Sequence, residues 1–321
     1  MLSRRTFLIS TVALALPLPN AYAQKYPSKP IRIIVPTGAG TGTDLTARNL
    51  AVGLSKTLGQ PVVIENKLGA GGMIGTDIVA KAAPDGYTLL FNYAAHYSNQ
   101  WIENPPYDAV ADFEPIARLA VSALVLVVGQ NSPFHTVQDL IAAAKQKPNS
   151  LTYGSAGAGT TSHMAAALFS KMAGVELVHI PYKAPSQAAV DAAGGQVDMT
   201  FGGLATSLPM IKSGRLRALA VTTDKRSQNL PDVPTLSESG LLGYENSSPI
   251  WAFAPRGTPL SIVNELSDAL VKVASTPEFK EFCFAQGIDV DIKGAAWCKA
   301  EAPKELAKWK ALVELTRQST Q

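Results

Sequence analysis

The sequence predicts a two-lobed α/β protein, because a short apolar strand, a glycine-rich loop and an amphipathic helix follow one another twice along the chain. The first copy spans residues 31–50 and the second spans residues 151–169. Laid on each other, the loops 38–44 and 157–163 are identical at their first four positions. Two such loops about half a chain apart predict two lobes, each a largely parallel sheet flanked by helices, that close on one small ligand.

The first loop has the composition of an anion site. Pro36 ends the apolar strand, and glycines at alternate positions follow it. Thr43 or Asp44 can cap the next helix, whose apolar residues recur at helical spacing until Gly59. Glycine lets backbone N–H groups approach a ligand, and a helix N-terminus adds about half a positive charge. Neither loop contains lysine or arginine, so dipoles and hydroxyl groups have to meet the charge of the ligand.

Residues 1–23 are predicted to form a signal peptide. Arg4 and Arg5 precede an apolar run, and the tripeptide AYA before Gln24 has the small-x-small pattern that signal peptidase accepts. The segment SRRTFL is also typical of a twin-arginine signal, so general secretion and twin-arginine export both stay open. Either route predicts a mature protein that begins near Gln24 in the periplasm.

Charge and composition argue against several classes of partner. The chain has 28 basic and 25 acidic residues, and cleavage of the signal peptide removes two basic ones, so we expect no nucleic-acid partner. The four histidines share no metal-ligand spacing with one another, with cysteine or with acids, so we expect no metal, cofactor or catalytic residue. Cys283 and Cys298 are close enough to pair in an exported protein, and the sequence leaves a disulfide and two free thiols equally open. A monomer is expected.

The first lobe begins with alternating strands and helices. Strands are predicted at 31–35, 61–66 and 89–93, with helices between them. This alternation is typical of a parallel sheet, whose ligands bind beyond the carboxyl ends of the strands. The first glycine loop, residues 69–72 and residues 92–96 would all lie at that edge.

The second lobe repeats this construction. An apolar run at 116–128 leads into it, and a proline- and serine-rich stretch at 230–249 leads back. We therefore expect lobe 1 to comprise residues 24–122 and 247–321, and lobe 2 to comprise residues 123–246. In the second lobe, strands are expected at 151–154, 177–182, 197–201 and 216–222, and helices at 136–145, 162–172 and 187–193. After the return to the first lobe, a strand is expected at 251–254 and helices at 260–275 and 303–316.

Two enzyme classes compete with a binding protein. A dinucleotide-binding oxidoreductase would use Gly38 to Gly40 and an acid at Glu65, but the third glycine of the fingerprint falls on Thr43. A serine hydrolase would use Ser155 with His163, but the nucleophile elbow requires glycine where this chain has Tyr153. Both patterns are incomplete, so a non-enzymatic function is expected.

Eight segments together resemble a known family along almost the whole mature chain. The chain is similar to the periplasmic substrate-binding proteins of tripartite tricarboxylate transporters, often called the Bug family. The resemblance implies a Venus-flytrap clamshell of the periplasmic-binding-protein type that captures a small carboxylate and delivers it to the membrane components of the transporter. The matching segments are YPSKPIRIIVP, TDLTAR, GQPVVIENKLGAGGMIG, AKAAPDGYTLL, PYDAVADFEPIA, LTYGSAGAGTTSHMAAALF, VHIPYK and GRLRALAVTT.

The resemblance also implies which residues bind the ligand. In this family, backbone N–H groups, hydroxyl groups and ordered water hold the carboxylate. The corresponding positions here are Ala39, Gly40, Thr43 and Asp44 on one lobe, Ser155, Gly157, Gly159, Thr160, Thr161 and His163 on the other, and also Ala95, His96, Gly203 and Leu204. Asp44 has an alternative interpretation as a helix cap and His163 as a residue of the first helical turn, and for His96 a contact with the ligand is less expected than none.

Two positions depart from the family pattern. Thr37 stands where an aromatic residue usually follows the proline, and Thr41 stands where the family usually has a second glycine. Loss of the ring removes an apolar wall and adds a hydroxyl group. We therefore expect Thr37 and Thr41 to line a pocket that prefers a smaller or more hydroxylated acid.

Overall fold

Two mixed β-sheets organise the chain. The computed structural model describes residues 26–157, 160–182 and 185–318. The predicted signal peptide and Gly159 lie outside these ranges. The strands are β1 (Ile31–Val35), β2 (Val62–Asn66), β3 (Thr88–Asn92), β4 (Phe113–Ser122), β5 (Leu124–Gly129), β6 (Thr152–Ser155), β7 (Val178–Pro181), β8 (Met199–Gly203), β9 (Leu216–Val221), β10 (Ser248–Pro255) and β11 (Asp289–Gly294).

Helices cover both sheets. No helix in the described ranges is long and apolar enough to cross a membrane. The helices are α1 (Gly42–Leu58), α2 (Met73–Ala80), α3 (Ala95–Ile102), α4 (Val137–Gln146), α5 (Thr161–Ala173), α6 (Pro185–Ala193), α7 (Leu204–Lys212), α8 (Leu260–Ala274), α9 (Pro277–Ala285) and α10 (Ala295–Gln318).

The sheet order explains why the expectation of largely parallel sheets is wrong. The first sheet has the order β11-β4-β10-β3-β1-β2 and the second has the order β7-β6-β8-β5-β9. The pairs of β1 with β2 and β3, and of β6 with β7 and β8, are parallel. In contrast, β10 runs against β3 and β4, and β5 runs against β8 and β9. The reason is that β5 and β10 enter their sheets from the opposite lobe.

The chain crosses between the sheets at two adjacent places. Only Ala123 separates β4 of the first sheet from β5 of the second. The backbone N–H of Leu124 donates to the Thr222 hydroxyl at 3.1 Å, and Thr222 N–H donates to the Leu124 carbonyl at 3.0 Å. Thr222 directly follows β9, where the return path begins. The outgoing and returning segments are therefore bonded side by side.

Four apolar clusters of described residues pack against the two sheets, and the third of them also joins the lobes. The first packs Ile33 and Leu50 with residues of α8, and the second packs Phe169 against Phe201. In the third, Met164 of α5 packs with Trp251 and with Trp309 of α10. The C-terminal helix, whose residues we assigned to the first lobe, also contacts α5. Helix α10 is thus shared between the lobes.

The C-terminal region differs most from the sequence prediction. Helix α10 begins at Ala295, and Pro303 lies inside it, not at its first turn as predicted. Helix α9 and the edge strand β11 were not predicted, and neither was α3 in the first lobe. Cys283 and Cys298 are free and buried, so the possible disulfide is absent. Burial raises the pKa of both thiols to about 12.

Candidate functional site

The two glycine loops have the same backbone geometry. In the first, the Thr41 hydroxyl donates to the Gly38 carbonyl at 2.9 Å and the Thr41 N–H donates to the same carbonyl at 3.3 Å. In the second, Thr160 makes the same two bonds to Gly157, at 2.7 and 3.4 Å. The sequence match of four residues therefore corresponds to a repeated structure.

Each of these threonines caps the helix that follows it. The Thr41 hydroxyl accepts from the Asp44 N–H, and the Thr160 hydroxyl accepts from the His163 N–H, both at 3.4 Å. The prediction of Thr43 or Asp44 as the cap of α1 is therefore wrong by two or three positions. Thr43 belongs to the first turn of the helix, where its side chain is buried.

The carboxylate of Asp44 stabilises the first loop through hydrogen bonds. Its carboxylate accepts from the Gly40 N–H at 2.9 Å, from the Asn66 amide at 2.8 Å and from Arg48 Nε at 3.0 Å. Gly40 has a φ of +83°, a conformation that suits glycine and turns its N–H toward this carboxylate. Burial opposes ionisation of Asp44, but the hydrogen bonds outweigh it and lower the pKa of its carboxyl group. Asp44 is only 1% exposed, so it stabilises the loop and its carboxylate does not face solvent.

The second loop rests on a serine and two histidines. Ser155 Oγ lies 2.6 Å from His179 Nε2 and accepts from the Gly157 N–H at 3.1 Å. The His163 and His179 rings stack with centroids 4.3 Å apart, and Tyr153 stacks on His179 at 4.9 Å. Burial, and then the proximity of His179, lower the pKa of His163 to about 4, while burial lowers that of His179. Ser155 is thus paired with His179, not with His163 as the hydrolase hypothesis required.

Free backbone donors at the loops differ from those expected. The N–H of Gly40 bonds Asp44, and the N–H of Leu204 donates to the Ala123 carbonyl at 2.9 Å. At the start of α1, the N–H groups of Gly42 and Thr43 have no hydrogen-bond partner within the described ranges. The start of α1 therefore offers donors for an anion.

The predicted residues at the end of the third strand have buried side chains. His96 is 0% exposed, and its Nε2 lies 2.8 Å from the Ala109 carbonyl oxygen. Its ring stacks on Phe253 at 4.1 Å, and burial lowers its pKa to about 4. Ala95 is also buried, at the start of α3. These positions therefore belong to the core of the first lobe.

A tight turn brings the first loop close to the predicted residues of the second lobe. A Cβ atom at Gly287 would lie 3.0 Å from the Ala205 Cα, so only glycine fits there without displacement. Ile288, the next residue, lies 3.6 Å from the position of a Cβ at Gly42. The starts of α1 and α7 thus meet at this turn. Gly203 and Leu204 directly precede Ala205.

The hydroxyl of Thr37 faces its own loop. Thr37 Oγ1 lies 2.7 Å from Thr41 Oγ1, and the Asn66 amide donates to the Thr37 carbonyl at 2.9 Å. Ala39, Gly40 and Thr41 are exposed around this pair. These hydroxyl groups provide a polar surface where an aromatic ring would have provided an apolar one.

A cavity of about 450 Å³ lies beside the crossings, and no residue of either glycine loop lines it. Its lining includes Arg118, Lys293, Trp297 and Glu245. Arg118 pairs with Asp291 at 2.6 Å, and other acids and bases of the lining also pair with each other. Since these charges already neutralise one another, we do not place the anion there. Among the described residues, no group of three or more acids, histidines and cysteines is placed to hold a metal ion.

Sequence reasoning missed three residues that shape the loops. Asn66 ends β2 opposite Val35, at the carboxyl edge where ligand groups were expected. Arg48 lies one helical turn after Asp44, which is the spacing of an ion pair. His179 lies in the matching segment VHIPYK, but only the pairing of β6 with β7 sets it opposite Tyr153.

Comparisons with known proteins agree with this architecture. The family model described as tripartite tricarboxylate transporter family receptor matches residues 46–317. Protein BugT of Bordetella pertussis is 34% identical over 311 residues, covering 96% of this chain and 94% of that protein. A TctC solute-binding protein from Polaromonas has a TM-score of 0.81 at 30% identity, covering 90% of this chain and 99% of its own. Rpa4515 of R. palustris, solved with adipate, has a TM-score of 0.77 at 33% identity, covering 91% and 98%.

These likenesses confirm the predicted two-lobed α/β clamshell, with its sheets mixed. The family-model match runs from within α1 almost to the end of α10, so it includes strands of both sheets and the second glycine loop, while β1 and the first loop precede it. The chain therefore belongs to the tripartite tricarboxylate transporter receptor family, known as the Bug family of periplasmic solute-binding proteins.

Proposed function

We propose that this protein captures a small carboxylate between its two lobes and delivers it to the membrane components of a tripartite transporter, without chemical change of the ligand. The observation that carries the proposal is the repeated loop, in which Thr41 and Thr160 make the same bonds at the starts of α1 and α5. Two helix N-termini from two lobes supply the donors that a carboxylate requires. The bound form of Rpa4515 contains adipate, a carboxylate of this class.

The proposed site is smaller than the set implied by family resemblance. It comprises the N–H groups at the starts of α1 and α5 and the exposed loop residues Ala39 and Gly40, with Thr41 and Thr160 as the caps that fix the two helix starts. We leave out Ala95 and His96, whose side chains are buried in the first lobe. We assign Asp44, His163 and Ser155 to stabilising the loops rather than to contacting the ligand. Gly203 and Leu204 lie at the start of α7, near the start of α1.

We also propose how the chain is divided and where it acts. Residues up to 122 and from 247 form the first lobe, and residues 123–246 form the second, since β4 and β10 lie in one sheet and β5 and β9 in the other. Segment 1–23 is proposed to direct the protein to the periplasm, where it acts as a monomer. A ligand of about ten heavy atoms would bind with roughly micromolar affinity.

The experiment is a thermal-shift screen of the mature protein from Gln24. The panel contains mono-, di- and tricarboxylates, amino acids, NAD and NADP. We expect one class of carboxylate to raise the midpoint of unfolding, and Thr160→Ala to reduce that shift. Stabilisation by a dinucleotide alone would contradict the proposal and favour the oxidoreductase hypothesis. Recovery of the bound carboxylate unchanged after incubation tests the absence of chemistry.

A further inference from the structure

The side chains beneath the second loop form a chain of polar contacts that ends at the loop backbone. His179 Nε2 lies 2.6 Å from Ser155 Oγ. The same oxygen accepts from the Gly157 N–H at 3.1 Å and lies 3.2 Å from the Gly157 carbonyl oxygen. A change at His179 therefore reaches the loop through a single hydroxyl group.

The groups that face His179 bring no negative charge to it. Tyr153 approaches from β6, and His163 approaches from α5 with its ring nearly parallel, at 10°. The acids near the two ends of β7 have other partners: Glu176 accepts from Asn149, and Asp191 accepts from the Tyr182 hydroxyl. In this setting burial keeps both histidines neutral near pH 7.

The first loop differs at the equivalent position. Asp44 occupies the place that His163 has in the second loop, since both donate their N–H to the capping threonine. Asp44 is ionised at neutral pH and paired with Arg48. The lobes therefore present one loop supported by an ionised carboxylate and one loop supported by two neutral imidazole rings.

We propose that His179 is a positioning residue that couples carboxylate binding at the second loop to the uptake of one proton. When His179 is neutral, its Nε2 accepts the hydrogen of the Ser155 hydroxyl. When it is protonated, it donates to Ser155 Oγ, and the hydroxyl hydrogen is released toward the loop and the anion. This inference rests on the proposed function, because the bound carboxylate supplies the negative charge that stabilises the protonated ring.

Proton uptake is limited to one because the histidines stack. At 4.3 Å between ring centroids, a second positive charge would be strongly disfavoured, so the pair titrates as a unit. Binding that favours the protonated form has to strengthen as the pH falls. If binding restores the apparent pKa of the pair to the ordinary histidine value of about 6.5, the affinity increases by about fourfold between pH 7.5 and pH 6.0.

Isothermal titration calorimetry of the mature protein tests the inference, with adipate and malate as the probes. Titrations at pH 7.5 and 6.0, each in two buffers of different ionisation enthalpy, give the affinity and the number of protons taken up. His179→Gln keeps an amide that bonds Ser155 but cannot titrate. His135→Gln is the matched control, because His135 is exposed and precedes α4, far along the chain from the loop.

We expect the wild type and His135→Gln to take up protons on binding and to bind about fourfold more tightly at pH 6.0 than at pH 7.5. His179→Gln should bind within about twofold of the wild type at pH 7.5 and take up no proton. Ligand protonation is the same for all three proteins, so it cancels between them.

Three results would overturn the inference. Equal proton uptake in His179→Gln and the wild type would assign the proton to another group while leaving the proposed function intact. If His179→Gln does not bind at all, the wild type decides alone, and the absence of proton uptake refutes the coupling. Absence of binding heat in every protein, with both probes and at both pH values, refutes the proposed function and the coupling with it.

Discussion

Asp44→Asn removes the carboxylate that supports the first loop, and we expect it to lower the free energy of unfolding by about 2–3 kcal/mol at pH 7. Three donors contact this carboxylate, from Gly40, Asn66 and Arg48. A hydrogen bond to a buried charged group contributes about 1.5–3 kcal/mol. Arg48 is 48% exposed, so its share is small. The amide oxygen of an asparagine can accept from either Gly40 or Asn66, but its NH₂ group would face the other donor and lose that hydrogen bond.

The pH dependence of this effect has a definite sign. The pKa of Asp44 is lower in the folded protein than in the unfolded chain, so its stabilisation is complete above pH 5. That stabilisation is lost as the pH falls through the folded pKa, and the wild type and Asp44→Asn should become equally stable in strong acid. The difference should therefore shrink below about pH 4.

Urea unfolding of both proteins, followed by circular dichroism at pH 7 and pH 3.5, measures the effect. Asp139→Asn is the control, since Asp139 also accepts two backbone N–H groups, at 2.8 and 2.9 Å, but on the exposed surface at the start of α4. Asp139→Asn should destabilise the protein less than Asp44→Asn does, because solvent screens the exposed carboxylate. Equal stability of Asp44→Asn and the wild type at pH 7 would refute the role assigned to Asp44.

Three further predictions concern single residues. Thr160→Ala should destabilise the protein by about 1 kcal/mol and weaken carboxylate binding, whereas Thr160→Ser should retain stability and binding. Thr136→Ala, which removes the cap of α4, should lower stability without changing binding. Equal carboxylate affinities of Thr160→Ala and the wild type, measured by calorimetry, would contradict this prediction. Because the pKa of buried His96 is about 4, the unfolded chain binds more protons than the folded protein at low pH. His96 should therefore account for about 2 kcal/mol of the free energy of unfolding that is lost between pH 7.5 and 5, and His96→Phe should reduce that loss in urea titrations. An equal loss in His96→Phe and the wild type would count against this prediction. Buried Cys283 and Cys298 should react with a thiol reagent only after unfolding, giving two thiols per chain, and a value of zero would reveal a disulfide.

Local patterns in the sequence were sufficient for the elements that carry the loops. Strand β1 and the end of α1 at Gly59 lie where the apolar spacing and the glycine predicted them. The cap was misplaced because Thr41 and Thr43 are equally good capping residues, and only the backbone conformation distinguishes them. Helix α9 and strand β11 were missed because no glycine loop marks them.

Contacts between distant segments could not be predicted in this way. His179 reaches Ser155 only because β7 pairs in parallel with β6, with Tyr153 opposite His179. His96 follows β3 as a ligand residue would, but its ring turns toward Phe253 of β10, a strand that arrives from the other lobe. The direction of β10, and with it the mixed character of the sheet, depends on the return crossing and not on local spacing.

The crystal structure of the mature protein with the carboxylate that stabilises it most is the direct test of where the ligand binds. We predict that its carboxylate oxygens lie within hydrogen-bonding distance of the N–H groups at the starts of both α1 and α5. Thr41 and Thr160 should flank them from the two lobes. Electron density for the ligand in the cavity lined by Arg118, Lys293 and Trp297, with both loops empty, would contradict the account.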